Sequence, residues 1–257
     1  MLQLLKMQAT GNDFLILDGM KFSAPPPDRR AQLARTFCQR IYGFGADGFL
    51  VLEQKADGIH WDFYNSDGSS ANMCGNAARA VGQYLMNKSQ TNAADFFTTV
   101  GKVSAKRINQ NEVEVQFDIP NEPTSELKSP SATMINTGVP HAVLQVSDLQ
   151  NIERLRETGL TIKSQFQNDG MNVTYFVPKT ATSIESVTFE RGVEDFTLAC
   201  GTGALAAARV HLKQKDGSCE VNVPGGKLRV TFKAFSAILT GEARSIGWCV
   251  PFNEDAK

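Results

Sequence analysis

Long apolar runs are absent from this 257-residue chain. No stretch approaches the roughly 18 residues that a membrane-spanning helix requires. The first residues lack the basic start, apolar centre and small-residue cleavage site of a secretory signal. An excess of charge of one sign is missing too. The 26 Lys and Arg against 27 Asp and Glu leave a net charge of −1, which offers no broad basic field for nucleic acid or an anionic membrane. The five cysteines at 38, 74, 200, 219 and 249 are odd in number and form no C-x-x-C pair. Free thiols in a reducing cytoplasm are expected, not a disulfide framework. Residues Gly43 to Gly48 spell G-x-G-x-x-G, but a helix-like stretch (29–39) precedes them and a strand (49–53) follows. Dinucleotide binding needs the reverse order, so this segment reads as a turn, and no Walker-type phosphate loop occurs elsewhere. With 42% hydrophobic and 21% charged residues, what remains is an ordinary globular composition.

The chain repeats itself once. Thr10-Gly11-Asn12-Asp13-Phe14-Leu15-Ile16-Leu17 and Thr137-Gly138-Val139-Pro140-His141-Ala142-Val143-Leu144 share a form, a turn followed by an apolar strand, at an offset of 127 residues. Cys74-Gly75-Asn76-Ala77-Ala78 recurs as Cys200-Gly201-Thr202-Gly203-Ala204 at an offset of 126. Gly101-Lys102-Val103 recurs as Gly226-Lys227-Leu228 at an offset of 125. Three matches in one order argue for two similar domains. Their boundary falls in the stretch 118–136, where Pro120, Pro123 and Pro130 among polar residues suggest a linker. Short alternating strands such as 113–117 and 228–232 recur in each half. After each Cys-Gly pair runs an Ala-rich segment apolar over most of a helical surface, which belongs inside. The expected fold is α+β: two similar domains, 1–118 and 119–241, each a mostly antiparallel sheet wrapped around a central buried helix. The two are expected to be related by a pseudo-twofold, with 242–257 packing back onto the first.

A lone cysteine in a small-residue helix is ordinarily a buried hydrophobe. Two at repeat-equivalent positions, each opening a helix, point elsewhere, whereas Cys38, Cys219 and Cys249 match nothing in the other half. A thiol at a helix start lies beside unpaired N–H groups and the positive end of the helix dipole, which favour its thiolate and also attract a carboxylate. If the domains face each other, one cleft would hold two thiols and two anion-binding helix ends. Such a pair suits inversion of a carbon next to a carboxylate: one thiolate removes the proton and the opposite thiol returns one to the other face. No flavin, pyridoxal or metal is required. The helix-end N–H groups would meet the charge that develops on the carboxylate. Residues Gln8 to Asp13, pivoting on Gly11, read as a loop able to close over a substrate. Zinc held by Cys74, Cys200 and His141 is a weak alternative, since the three come from distant segments.

These motifs resemble the diaminopimelate epimerase family over almost the whole chain. The resemblance begins at Lys6-Met7 with Gly11-Asn12-Asp13-Phe14 and ends near Pro224-Gly225-Gly226. Its most specific parts are Asn65-Ser66-Asp67-Gly68-Ser69 leading to Met73-Cys74-Gly75-Asn76, and Glu190-Arg191-Gly192 leading to Ala199-Cys200-Gly201-Thr202-Gly203. It implies a pyridoxal-independent, two-domain enzyme, a homodimer without cofactor, interconverting LL- and meso-diaminopimelate for lysine and cell-wall precursors. By that resemblance Cys74 and Cys200 are the acid/base thiols, with His141 and Glu190 the polar partners that help set their protonation. Gly75, Asn76, Gly201 and Thr202 would hold the reacting carboxylate, and Asn12 with Glu190 the reacting ammonium. Asn65, Asn172 and Arg191 would read the distal end.

Three positions depart from the family pattern: Val139 where many members have Asn, Gly48 where some have a polar amide, and Phe196 where Glu is usual. They bear on the substrate more than on the reaction. A racemase of another polar amino acid, such as histidine, therefore remains the alternative. Relatives acting on proline typically carry His where this chain has Asn76.

Overall fold

The computed structural model describes residues 2–119, 124–166, 170–191, 193–234 and 236–251. Pro120 and Pro123 of the expected linker, Gly192 of the second motif and residues 252–257 of the tail lie outside them. The chain divides into two compact units: Met1–Val115 with Glu242–Lys257, and Gln116–Gly241.

In the first unit the order is β1 (Leu4–Ala9), β2 (Asn12–Asp18), α1 (Pro27–Phe37), β3 (Gly48–Lys55), β4 (Gly58–Asn65), α2 (Gly75–Ser89), β5 (Ala93–Thr98), β6 (Gly101–Arg107) and the start of β7 (Glu112–Asp118). β1 and β2 pair antiparallel, β2 and β3 parallel, β3 and β4 antiparallel, β4 and β5 parallel, and β5 and β6 antiparallel. The second unit holds β8 (Ser125–Lys128), β9 (Ser131–Asn136), β10 (Pro140–Gln145), α3 (Ile152–Lys163), β11 (Asn172–Thr180), β12 (Ser183–Glu190), β13 (Asp195–Phe196), α4 (Gly201–His211), β14 (Gly217–Val223), β15 (Gly226–Lys233) and all but the last residue of β16 (Ser236–Glu242). Here the series recurs: β9–β10 antiparallel, β10–β11 parallel, β11–β12 antiparallel, β12–β14 parallel, β14–β15 antiparallel. The duplication visible in three short motifs is thus a duplication of the whole pairing scheme. Strand β17 (Arg244–Cys249) returns to the first unit and pairs antiparallel with β1.

Burial explains the strand sequences. β2 is buried along its last five residues and β3 along its first five, because both faces of this parallel pair are covered. Leu15, Leu17, Phe49 and Val51 pack with Leu33, Ala34 and Phe37 of α1. The alternate residues Phe14 and Ile16 point to the opposite face, where α2 lies against β2. In the second unit Leu155 and Ile162 of α3 pack with Leu144, Val173, Tyr175 and Phe189, and α4 lies against β10, β11 and β12. Each central helix is buried around its circumference, α2 from Gly75 to Met86 and α4 from Gly201 to Ala208.

Two expectations require correction. Most of the stretch expected as linker, from Ser125 to Asn136, is a hairpin of β8 and β9, and β9 pairs onward with β10. Its alternation is masked by polar residues, because β8 is largely exposed. The expected loop from Gln8 to Asp13 is a two-residue turn. β1 and β2 remain paired up to Ala9 and Asn12, and Thr10 (φ 52°) and Gly11 (φ 84°) close it, the tight hairpin geometry that needs positive φ at both positions. Residues Gln8, Ala9, Asn12 and Asp13 therefore belong to the strands, and only Thr10 and Gly11 form the turn.

α2 comes so close to β6 that a Cβ on Gly82 would lie 2.4 Å from Cβ of Ala105. Neither atom can rotate away, since both are fixed to backbone. Gly82→Ala is therefore expected to destabilise the protein by about 1–2 kcal/mol in denaturant unfolding, as overpacking outweighs the roughly 1 kcal/mol that Ala gains over Gly in a helix. A variant as stable as the wild type would show that α2 can withdraw from the sheet.

Candidate active site

Cys74 and Cys200 occupy the same structural position in their units, the residue before the first turn of the central helix. Both are extended (φ −148°, ψ 117° and φ −116°, ψ 111°). Their carbonyls accept the first helical hydrogen bonds, from the N–H groups of Ala78 and Ala204, each at 2.9 Å. The Cys74 sulfur also accepts from the Ala77 N–H at 3.5 Å. Side chains at such ends face N–H groups that no carbonyl of their own helix can reach, so each unit presents a thiol next to a partial positive charge.

Around Cys74 the structure gathers Asn12, at the start of β2, and Asn76, in the first turn of α2. Asn12 Oδ1 lies 3.9 Å from Cys74 Sγ and accepts from Asn76 Nδ2 at 3.3 Å. Behind Asn76 stands Arg79, a fully buried guanidinium. It donates to Asn76 Oδ1 and Thr10 Oγ1, each at 2.9 Å, and to the carbonyls of Gly75 and Glu242, each at 3.4 Å. Burial pulls its pKa down to about 10, with the Cys74 thiolate acting in the opposite direction. Asn65 ends β4 beside Gly48, and its Nδ2 donates to Ser69 Oγ at 2.9 Å within the turn that leads to Cys74. The ring of Phe63 fills the space that a side chain at Gly48 would take, 2.4 Å from the Cβ position.

In the second unit, Cys200 Sγ lies 3.5 Å from Thr202 Oγ1. His141 does not meet the sulfur in that chain of bonds directly. Its Nε2 bonds Thr202 Oγ1 at 3.0 Å and its Nδ1 bonds Thr174 Oγ1 at 2.9 Å, and Thr174 in turn bonds Thr188 at 3.1 Å. Burial, with a smaller contribution from the Arg191 charge, lowers its pKa to about 3. His141 is therefore a neutral imidazole clamped between two hydroxyls, and it reaches Cys200 through Thr202. Asn172 is the parallel-strand partner of His141, and its Oδ1 accepts the Arg191 N–H at 2.9 Å. Arg191 Nη1 donates to the Gly170 carbonyl at 3.1 Å, and Glu190 accepts from Thr197 Oγ1. Phe196, where a Glu is usual in the resemblance, packs edge-on to Phe189 at 5.4 Å between ring centroids. It is part of the wall of this unit's core.

The other cysteines stand apart. Burial raises the thiol of Cys38 to about 12 and that of Cys219 to about 11, and also raises Cys249. Sequence reasoning missed Arg79, Asp47 and Thr174. Arg79 carried a signal: a charged residue inside a helix apolar on all sides has to be buried and paired. The other two have none, since their partners lie on other strands or, for Arg40 with Asp47, in the segment after α1.

The buried imidazole has a consequence for stability. Its folded pKa of about 3 lies below the unperturbed 6.5. Between those values the unfolded chain binds a proton that the folded chain does not. Stability is full above the upper value and falls as pH drops towards the lower. From pH 6.5 to 5 the protein should lose roughly 1–2 kcal/mol in denaturant unfolding, and His141→Gln should flatten this slope. An unchanged slope in the variant would mean that the imidazole is protonated in the folded state.

Comparison with known proteins gives the same reading of the chain. The sequence profile described as diaminopimelate epimerase matches residues 4–121 and 133–246. The chain is 34% identical to a diaminopimelate epimerase of Aquifex aeolicus over 80% of this chain and 79% of the relative. It is 31% identical to one of Flavobacterium psychrophilum over 93% and 94%, and 32% identical to one of Helicobacter pylori over 95% and 94%. Among solved structures, a hydroxyproline epimerase from Agrobacterium vitis superposes with a TM-score of 0.70 at 16% identity, covering 96% of this chain and 91% of that one. A phenazine biosynthesis protein of the PhzF family from Bacillus anthracis superposes with a TM-score of 0.71 at 11% identity, covering 96% and 98%. At those identities the likeness is one of fold. The sequence matches go further: the chain belongs to the diaminopimelate epimerase family.

Proposed function

We propose that the chain is a cofactor-independent epimerase that interconverts LL- and meso-diaminopimelate by a two-cysteine proton transfer, in the supply of lysine and peptidoglycan precursors. The observation that carries the reading is the thiol at the start of the buried helix in each unit, Cys74 and Cys200, in a chain of this family.

Inversion requires a base and an acid acting on opposite faces of the α-carbon. One cysteine thiolate takes the α-proton, so the C–H bond breaks and its electron pair moves towards the carboxylate. The first-turn N–H groups at Gly75 and Asn76, and at Gly201 and Thr202, suit the carboxylate whose charge grows. The other cysteine, a thiol, delivers its proton to the opposite face. Each turnover leaves the two sulfurs with exchanged protonation states, and atoms and charge balance without a cofactor. His141, neutral and buried, serves as a support for Thr202 and not as a charged base. Asn12 and Glu190 accept from the reacting ammonium, while Asn65, Asn172 and Arg191 read the distal amino-acid end, where a guanidinium matches a carboxylate.

Two of the three departures have a packing explanation. Phe196 belongs to the core of its unit and Phe63 occupies the place of a side chain at Gly48. Neither therefore argues for a different substrate, which leaves Val139 as the feature behind the histidine alternative. No helix among the described residues is long and apolar enough to cross a membrane. A cytoplasmic homodimer acting on a small amino acid completes the reading.

The test is to incubate the reduced protein in deuterated water with LL-diaminopimelate, and in parallel with histidine and proline, and to follow the α-proton by NMR. Loss of the α-proton and growth of the meso form with diaminopimelate alone are expected. Exchange with histidine instead would move the substrate assignment and point to Val139. No exchange with any of the three would refute the epimerase reading.

A further inference from the structure

Asp47, just before β3, and Asn12, at the start of β2, are neighbours because these strands pair in parallel, with Phe14 opposite Gly48. Asp47 Oδ2 accepts from Asn12 Nδ2 at 2.5 Å and from the Asp13 N–H at 3.1 Å. Asp47 Oδ1 accepts from Arg40 Nη2 at 2.7 Å, and the same nitrogen donates to Asp13 Oδ1 at 3.0 Å. The oxygen and the nitrogen of a side-chain amide look alike in outline, so the direction an Asn points has to be settled by its partners. Here the partners settle it. A carboxylate accepting from a backbone N–H and a guanidinium can only accept from Asn12 as well, so the NH2 end of Asn12 faces Asp47. At the other end Arg79 has only donors, so the oxygen of Asn76 faces Arg79. That turns Asn76 Nδ2 towards Asn12 Oδ1. A single chain results, from a buried guanidinium through two amides to a carboxylate, with a donor facing an acceptor at each link.

We infer that Asp47 is a positioning residue of this site, acting through Asn12. It holds the amide so that an acceptor oxygen, and not an NH2 group, faces the Cys74 thiol, with Arg79 anchoring the far end of the chain through Asn76. The orientation matters for proton transfer. An acceptor oxygen beside sulfur receives the S–H of the acid form and gives no donor to the thiolate, so the sulfur stays basic enough to take a carbon-bound proton. A turned amide would donate to the thiolate and stabilise the state that has to react. The inference rests on the epimerase reading for its kinetic consequence, although the orientation itself does not depend on it.

The test is a double-mutant cycle in the full chain. Asp47→Asn preserves size but supplies its own NH2 group, which frees Asn12 to turn, and kcat/KM for diaminopimelate is expected to fall about tenfold or more. In an Asn12→Ala background the same substitution should cost less than about twofold, because Asp47 then has no amide to orient. Losses of similar size in both backgrounds would mean that Asp47 only holds the residues before β3 in place, and would overturn the inference. A second readout needs neither substrate nor a folded Asp47 variant. In isotope-labelled wild-type protein, the Asn12 side-chain NH2 signal, assigned by its loss in Asn12→Ala, should show one proton shifted downfield by the carboxylate and protected from exchange. A signal at solvent-exposed positions overturns the inference. Should the wild type fail to turn over diaminopimelate, the functional reading falls, while the amide signal still decides the orientation of Asn12.

Discussion

A helix buried on all sides still begins with N–H groups that none of its own carbonyls can satisfy. That constraint governs both units of this protein. α2 and α4 are enclosed from their first residues, so the groups at their starts have to find partners in the protein interior or in a bound anion. Cysteine at the preceding position puts a sulfur at each start: that of Cys74 accepts from the Ala77 N–H, and that of Cys200 lies by Thr202 Oγ1. The small residues after it, Gly75, Ala77 and Ala78 in one unit and Gly201, Gly203 and Ala204 in the other, are what an enclosed first turn allows. In α4 the space is so limited that a Cβ on Gly203 would lie 2.3 Å from Thr188 Oγ1. Packing and chemistry are therefore one requirement at these two places, since the helix has to be narrow to be central and its buried start is what makes the thiol distinctive.

Around that shared element the units differ in how they support their thiol. In the first, Cys74 is backed by charge: Arg79 at one end and Asp47 with Arg40 at the other, joined through Asn76 and Asn12. In the second, Thr202, His141, Thr174 and Thr188 hand hydrogen bonds along a buried row behind Cys200, and the Arg191 charge is near enough to act on His141. A duplicated scaffold has thus acquired two different supports, an amide chain between charged groups behind Cys74 and a hydroxyl–imidazole row behind Cys200. Two sulfurs that exchange acid and base roles within each turnover need not have the same surroundings.

Much of this was legible in the sequence, for physical reasons. The repeat showed itself at Cys74 and Cys200 because a buried helix start tolerates few residue types, and the strand repeat at Thr10 and Thr137 because tight turns do likewise. The hairpin from Ser125 to Asn136 was not legible, since an exposed strand can be polar on both faces and Pro130, with the prolines before it, resembles a linker. Asn12, Asn76 and His141 were found through the family resemblance, but their hydrogen-bond partners were not. Asp47 meets Asn12 and Thr174 meets His141 across strands, and Arg40 meets Asp47 from the segment after α1, which no local spacing encodes. Phe196 and Gly48 were visible only as departures, and their explanation waited on the rings of Phe189 and Phe63.

The central claim is that both sulfurs take part in every inversion. Its most direct measurement is the rate of conversion of LL- to meso-diaminopimelate by Cys74→Ser and by Cys200→Ser, each compared with the wild type under reducing conditions, with folding verified by circular dichroism. Because a general acid or base contributes on the order of 10²–10⁴ in rate, either substitution alone should lower kcat by at least about a hundredfold. A variant of either cysteine that inverts the substrate at close to the wild-type rate would contradict the account.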